Sequence, residues 1–212
     1  MTKFARMLLG LSAVALLTVP AAGQDDPFQR KWFWGAQAGA SFQSTTRGSV
    51  TAFNVGGNWL ITGTRSALYL AYDQELFPNP TLADVGSYEV AFSSGRRINA
   101  SLLALPKKGF FFGGGFTIHQ ITDATLSGTN VFASQAAADA AQQTVDEAAT
   151  RAFLTFTAGF QLPIGSKALL YANYQYMPGA SDFIFSSDIH AINGGLRIAF
   201  GSAFEEISTD RR

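Results

Sequence analysis

The sequence predicts an all-β fold, an eight-stranded antiparallel up-and-down transmembrane β-barrel with a short helix in an extracellular loop, and three observations carry that reading. Apolar residues alternate with small or polar ones at period 2 through eight successive segments. After the second strand, the links between segments alternate between short turns and longer loops. The apolar face carries Trp32, Trp34, Trp59 and many phenylalanines, too bulky to converge inside eight strands, while the other face is rich in Gly, Ala, Ser and Asn, which fit a narrow lumen. Residue size therefore turns the apolar face outward against lipid, the reverse of a soluble ligand-binding barrel.

Composition is consistent with this. A chain of 212 residues suits one all-β domain. It is 47% hydrophobic and only 14% charged, yet no segment after the leader reaches the roughly 18 apolar residues of a membrane helix. The absence of cysteine excludes a disulfide framework, a thiolate metal site and a lipidated N-terminal cysteine. Residues 1 to 23 read as a signal peptide: Lys3 and Arg6 precede an apolar run from Met7 to Val19, and Ala21 and Gly23 fit the small positions before a cleavage site. Cleavage after Gly23 leaves residues 24 to 212 as the barrel domain. The 15 basic and 15 acidic residues then become a net charge of about −2, which offers no footprint for nucleic acid.

The strands follow in order. The first, Lys31 to Gln43, sets Trp32, Trp34 and Phe42 against Gly35, Gln37 and Ser41. The second, Ser49 to Ile61, sets Phe53, Val55 and Trp59 against Asn54, Gly56 and Asn58, and Thr62 to Arg65 makes a tight turn. In the third, Ser66 to Gln74, Leu68, Leu70 and Tyr72 oppose Tyr69, Ala71 and Asp73. Glu75 to Ser87, with prolines at 78 and 80, reads as a loop. The fourth strand, Tyr88 to Leu103, puts Val90, Phe92 and Ile98 on the apolar face and Glu89, Arg97 and Asn99 on the polar one. By the same parity Arg96 falls on the lipid face, so a bulge or twist near Ser93 to Gly95, or a snorkelling side chain, is expected there.

Beyond the turn Leu105 to Lys108, the fifth strand alternates Phe110, Phe112, Phe116 and Ile118 with Phe111, Gly113, Gly115, Thr117 and His119. The connection from Ile121 to Arg151 contains the alanine-rich run Phe132 to Thr150, whose composition favours a helix capped by Asn130 or Ser134. The sixth strand is Ala152 to Leu162; a turn, Pro163 to Lys167, leads into the seventh, Ala168 to Tyr176. After a loop from Met177 to Asp188, the closing strand runs from Ile189 to Phe200 and sets Ile192, Leu196, Ile198 and Phe200 against Ala191, Asn193, Gly195 and Arg197.

In such a barrel the lumen is just wide enough for side chains to fill. Asp73, Glu89, Arg97, Arg197 and Asn193 are the expected polar network, with the arginines finding Glu89, Asp73 or neighbouring amides, because buried charge persists only when paired. A plug that fixes the barrel is favoured over an ion path gated by a switching arginine–carboxylate pair. The connection 121–151 is the expected surface for an extracellular partner, with a helical cap resting on the rim as the plainer reading.

Catalytic signals are weak. The two histidines, His119 and His190, are both expected near the outer rim. Ser186, Ser187, Asp188 and His190 supply the residue types of a lipid-modifying site, but the His-x-Ser of outer-membrane lipid A deacylases is replaced by His190-Ala191-Ile192. Two histidines on separate strands make no metal site. Gly113 to Gly115 sits inside a strand pattern with no following helix, so close packing explains it better than phosphate binding. No catalytic, cofactor-binding or metal residues are assigned.

The stretch Asn193 to Phe200, a polar residue, a glycine two later, then alternating hydrophobics ending in an aromatic, resembles the C-terminal insertion signal of bacterial outer-membrane barrels. With leader, alternation and loop polarity, the whole mature chain apart from its ends resembles the small OmpA/OmpX-type outer-membrane barrel family. The resemblance implies a bacterial outer-membrane location, a monomer in contact with membrane lipid, insertion by the barrel-assembly machinery through Asn193, Gly195, Ile198 and Phe200, no cofactor, and a structural, adhesive or protective role. The family signal usually ends the chain, whereas residues 201 to 212 follow here as a periplasmic tail, too short for a peptidoglycan-binding domain. A passive channel is the second reading and a lipid-modifying enzyme the third.

Overall fold

In the computed structural model, which describes residues 28–107, 109–128, 130–179 and 183–202, eight long strands close into a barrel. They are β1 (Lys31–Thr45), β2 (Gly48–Thr62), β3 (Ser66–Val85), β4 (Tyr88–Lys107), β5 (Phe110–Ile121), β7 (Thr150–Ile164), β8 (Ala168–Met177) and β9 (Ile189–Ser202). The two-residue β6 (Thr125–Leu126) and helix α1 (Gln135–Ala148) lie in the connection between β5 and β7. Every pairing is antiparallel, and the β1–β9 pair closes the ring from Phe42↔His190 down to Lys31↔Ser202. No free edge remains among the staves, which is what a barrel needs in a medium without water. The leader expected at 1–23, and the tail from residue 203 on, lie outside the described residues.

Outward side chains form an apolar belt: Trp34, Phe53, Leu102, Phe116, Leu154 and Ile192 are all exposed. Inward side chains of the same strands are buried, so the barrel is a filled core inside and an oily surface outside. At one end the links are turns near Gly63, Gly109 and Gly165, the latter two with positive φ. The other end carries the two tight hairpin turns β1–β2 and β3–β4 and the two long connections, β5–β7 and β8–β9.

Two boundaries differ from the sequence reading. Glu75 to Val85 is strand rather than loop: β3 and β4 run on past the barrel as a hairpin, turning at Gly86 with φ 60°. Pro78 and Pro80 are tolerated because they fall at a register shift between Leu76 and Thr81, beyond the last β2–β3 pair at Leu76. At the other end, β9 continues through Ser202, and a register shift opposite Trp32 and Phe33 accommodates Phe200. The barrel edge therefore lies two residues past Phe200.

The expected irregularity near Ser93 to Gly95 is present, but its effect is not on Arg96. Phe92 pairs with Thr81 and Ser94 with Leu76, and the buried parity switches from Val90 and Phe92 to Gly95, Arg97 and Asn99. Arg96 stays outside, where its Nε donates to Gln120 Oε1 at 2.8 Å, beside Gln74. These three polar residues mark the edge of the belt, so the guanidinium is not held at mid-bilayer.

Candidate functional site: the lumen plug and its lid

The lumen is filled in layers. Nearest the short turns, Phe33, Leu60, Leu103, Phe111 and Leu169 meet as an apolar floor. Glycines on the inner wall let the strands close tightly: a Cβ on Gly195 would stand 2.1 Å from the Ala36 carbonyl oxygen.

Above the floor sits Arg197, fully buried and, among the described residues, without a carboxylate in contact. Its guanidinium lies 3.5 Å from the centre of the Tyr171 ring and 5.3 Å from that of Tyr69, and its Nε donates to Asn58 Oδ1 at 2.6 Å. The π faces supply the negative potential that an acid would otherwise provide. Both tyrosine hydroxyls donate to Gln37 Oε1, at 2.6 and 3.0 Å, and Gln37 Nε2 donates to Asp73 Oδ1 at 2.5 Å. Gln37 thus connects the aromatic layer to the charged one.

The charged layer centres on Arg97, which is 1% exposed. Its Nε lies 3.1 Å from Glu75 Oε1 and its Nη2 3.6 Å from Asp73 Oδ2. The second Glu75 oxygen lies 2.5 Å from His119 Nε2, and Ser41 Oγ donates to the first at 2.8 Å. Turned to suit its neighbours, the Asn54 amide donates to Glu75 Oε1 at 3.2 Å and accepts from Arg97 Nη2 at 2.8 Å. Asn193 is buried next to this group, its Oδ1 3.4 Å from the Asn54 amide.

Of the expected network, Asp73, Arg97, Arg197 and Asn193 are in the lumen, and Glu89 is not. The switch of parity at Ser93 turns Glu89 out of the barrel, where it pairs with Arg47 on the β1–β2 turn. Glu75 and His119 take its place. Glu75 was legible as the next odd position after Tyr69, Ala71 and Asp73, but the prolines that follow suggested a loop. His119 is wholly buried against Phe153, Phe183 and Phe185 rather than at an open rim.

A lid covers the charged layer. Phe77, Phe92 and Phe185 pack ring to ring, with centroids 5.2 to 5.8 Å apart, over Ile121, Phe153 and Ile184. Helix α1, capped by Ser134, whose side chain accepts from Ala137 N, lays Val145 onto this cluster and also buries Ala141. The other cap candidate, Asn130, instead bonds the backbone of Glu89 through both amide atoms. All four connections at this end are tied together. Ser186 N donates to Ser44 O, Ile184 N to Ala148 O, and Arg47 and Thr46 hold Asp84. Burial alone would raise the Asp123 carboxyl, but hydrogen bonds from the Ser93 hydroxyl and the Ser93 and Ser94 amides outweigh it and hold the group below its ordinary value.

The residue types of a lipid-modifying site are engaged elsewhere. His190 Nδ1 shares a 2.6 Å hydrogen bond with the Tyr174 hydroxyl, and Asp188 accepts from Tyr176 and Gly179 N, which lower its pKa. Ser187 Oγ donates to Asp188 O, and Ser186 Oγ to Ser44 O. Among the described residues no cluster of three or more His, Asp or Glu is arranged to hold a metal.

An eight-stranded antiparallel ring, an oily exterior, a filled lumen and a girdle of Trp32, Trp34 and Trp59 at one end and Tyr174 and Tyr176 at the other define the class: this is the fold of the small OmpA/OmpX-type outer-membrane barrels. Solved structures agree. The chain is similar to Neisserial surface protein A, with 15% identity over 80% of this chain and 97% of that one and a TM-score of 0.55. It is also similar to the N-terminal β-barrel domain of Pseudomonas aeruginosa OprF, with 12% identity over 81% and 98% of the chains and a TM-score of 0.48. A third is Yersinia pestis Ail, the attachment invasion locus protein, solved with the heparin analogue sucrose octasulfate, with 13% identity over 80% and 99% and a TM-score of 0.45. No family model and no curated protein matches the chain.

Proposed function

We propose that the protein is a bacterial outer-membrane barrel with a side-chain-filled lumen, serving envelope structure or surface interaction rather than transport or catalysis. The observation that carries this reading is the stack of apolar floor, polar and charged layers and aromatic lid, which buries Asp73, Glu75, Arg97, His119 and Arg197 between apolar layers. Short turns face the periplasm and the tied long connections face outside, as in membrane barrels generally. The exposed face of α1, with Asp139, Gln143 and Asp146, is then a structured surface outside the membrane and the place for a partner in adhesion or protection. On this reading the chain is exported, cleaved after Gly23 and inserted as a monomer by the assembly machinery, with the Asn193, Gly195, Ile198 and Phe200 signal on the last stave.

The absence of cysteine makes a direct test simple. Asp139→Cys on intact cells should react with an impermeant maleimide, and Gly165→Cys should react only after the outer membrane is broken. Equal labelling of both sites on intact cells would refute the placement.

A further inference from the structure

We infer that the outer wall of β3, β4, β5 and β7 holds a phosphorylated, multiply acylated disaccharide lipid of the outer leaflet, the chemistry of lipid A, with Arg96 on its phosphate. The inference rests on the membrane placement proposed above. Four polar residues stand there in one cross-strand row: Gln74 pairs with Arg96, Arg96 with Gln120, and Gln120 with Thr150. Gln74, Arg96 and Gln120 each sit one residue from the buried Asp73, Arg97 and His119, so the row faces outward.

The row is prepared for an anion with hydroxyl neighbours. Arg96 is exposed, and its Nε donates to Gln120 Oε1 at 2.8 Å, which orients the guanidinium and leaves its two Nη groups unspent. Asp146 and Glu147, the acids that precede Thr150 at the end of α1, accept from Gln142 and Gln143 instead, at 2.8 and 3.3 Å. A guanidinium presented in this way is the fork that grips a phosphate through paired hydrogen bonds. The Tyr72 hydroxyl donates to Gln74 Oε1 at 3.3 Å, which leaves the Gln74 amide nitrogen for a ligand. With Thr150 it supplies the neutral polar groups that sugar hydroxyls need.

Depth and width together select the occupant. Towards the middle of the barrel the same face turns oily at once, first with Tyr72, Ile98 and Ile118 and then with Leu102, Phe116 and Leu154, all exposed. Arg96 therefore stands at head-group depth, above a ramp for acyl chains. A soluble anion or a protein loop would use the row and leave the ramp without a counterpart. The row spans roughly 14 Å at the strand spacing of a sheet, room for a phosphorylated disaccharide and wider than the single phosphodiester of a glycerophospholipid. At this end β8 and β9 carry the packed rings of Tyr174, Tyr176 and His190 instead, so the polar row is one sector and not a girdle.

The test uses the mature full chain in detergent micelles doped with diphosphorylated lipid A, its dephosphorylated form or phosphatidylglycerol, with retained lipids counted by native mass spectrometry. Wild type should retain diphosphorylated lipid A in preference to both others. Arg96→Gln should weaken that retention roughly fivefold, whereas Arg65→Gln, which removes a cation from the β2–β3 turn at the opposite end, should leave it unchanged. Equal retention of the two lipid A forms, undiminished retention by Arg96→Gln, or an equal loss in Arg65→Gln would overturn the inference. Phosphatidylglycerol held as tightly as lipid A would overturn the choice of a disaccharide lipid. Heat-modifiable gel mobility confirms folding of each variant. A wild-type chain that inserts into no vesicle would refute the membrane placement itself, a result distinct from loss of lipid preference.

Discussion

Replacing Arg97 with Met removes the cation on which the charged layer depends. Asp73 and Glu75 are 2% and 0% exposed, and their positive neighbour is at 3.6 and 3.1 Å respectively. With it gone, His119 is the remaining basic group, and of the two acids it contacts Glu75 and not Asp73. Breaking a buried pair on one side costs about 3–5 kcal/mol, because a charge is left in a medium that cannot solvate it. Removing the acids as well should recover much of that loss, so Asp73→Asn/Glu75→Gln/Arg97→Met is expected to be more stable than Arg97→Met alone. Equilibrium urea unfolding in a zwitterionic micelle, followed by tryptophan fluorescence, measures both. A loss below about 1 kcal/mol for Arg97→Met, within the range of an exposed pair, would mean that water reaches the layer and that the lumen is not dry.

Other perturbations test neighbouring parts. Phe185→Ala, which removes a ring packed on Phe77, Phe92, Phe183 and His119, should cost about 3–5 kcal/mol in the same unfolding assay, with barrel strand content unchanged by circular dichroism. Gly195→Val places a side chain against the Ala36 carbonyl and should abolish the heat-modifiable folded band. Phe200→Ala, which loses the edge contact with Trp32, should lower refolding yield more than deletion of residues 203–212; the reverse order would misplace the assembly signal. The Asp123 carboxyl is depressed in the folded protein, so its contribution to the lid is complete above the ordinary carboxylate range and is lost as pH falls through the lowered value. Protection of the Ser93 and Ser94 amides from hydrogen exchange, taken relative to the intrinsic rate at each pH, should fall on acidification in wild type, and Asp123→Asn should show low protection already at neutral pH.

The barrel was legible because period-2 alternation and residue size are local properties, and a strand in lipid reads them out directly. Trp32, Trp34, Phe53 and Leu196 lie outside, and Asp73, Arg97 and Arg197 inside, as the pattern requires. Glu89 was misplaced because one irregularity reverses the parity of everything beyond it, and no residue type at Ser93 or Ser94 marks it on its own. Glu75 was hidden by Pro78 and Pro80, which signal a loop only where both edges of a strand need partners; past Leu76 one edge of β3 is released from β2. The pairing of Arg197 with two tyrosine rings was also out of reach. Tyr69 and Tyr171 are 102 residues apart in sequence, and only the curvature of the closed sheet brings them to one cation. Helix α1 announced itself by composition, but its role as a lid depends on Phe185 and Ile184 from a different loop.

The central claim is that the lumen is sealed by side chains, and single-channel recording of the purified, reconstituted mature chain in planar bilayers tests it most directly. The account predicts a silent membrane for wild type across the voltage range, with protein insertion verified independently by tryptophan fluorescence in the same lipid. Steady, ohmic conductance from wild-type barrels would contradict it and would give the passive-channel reading its place.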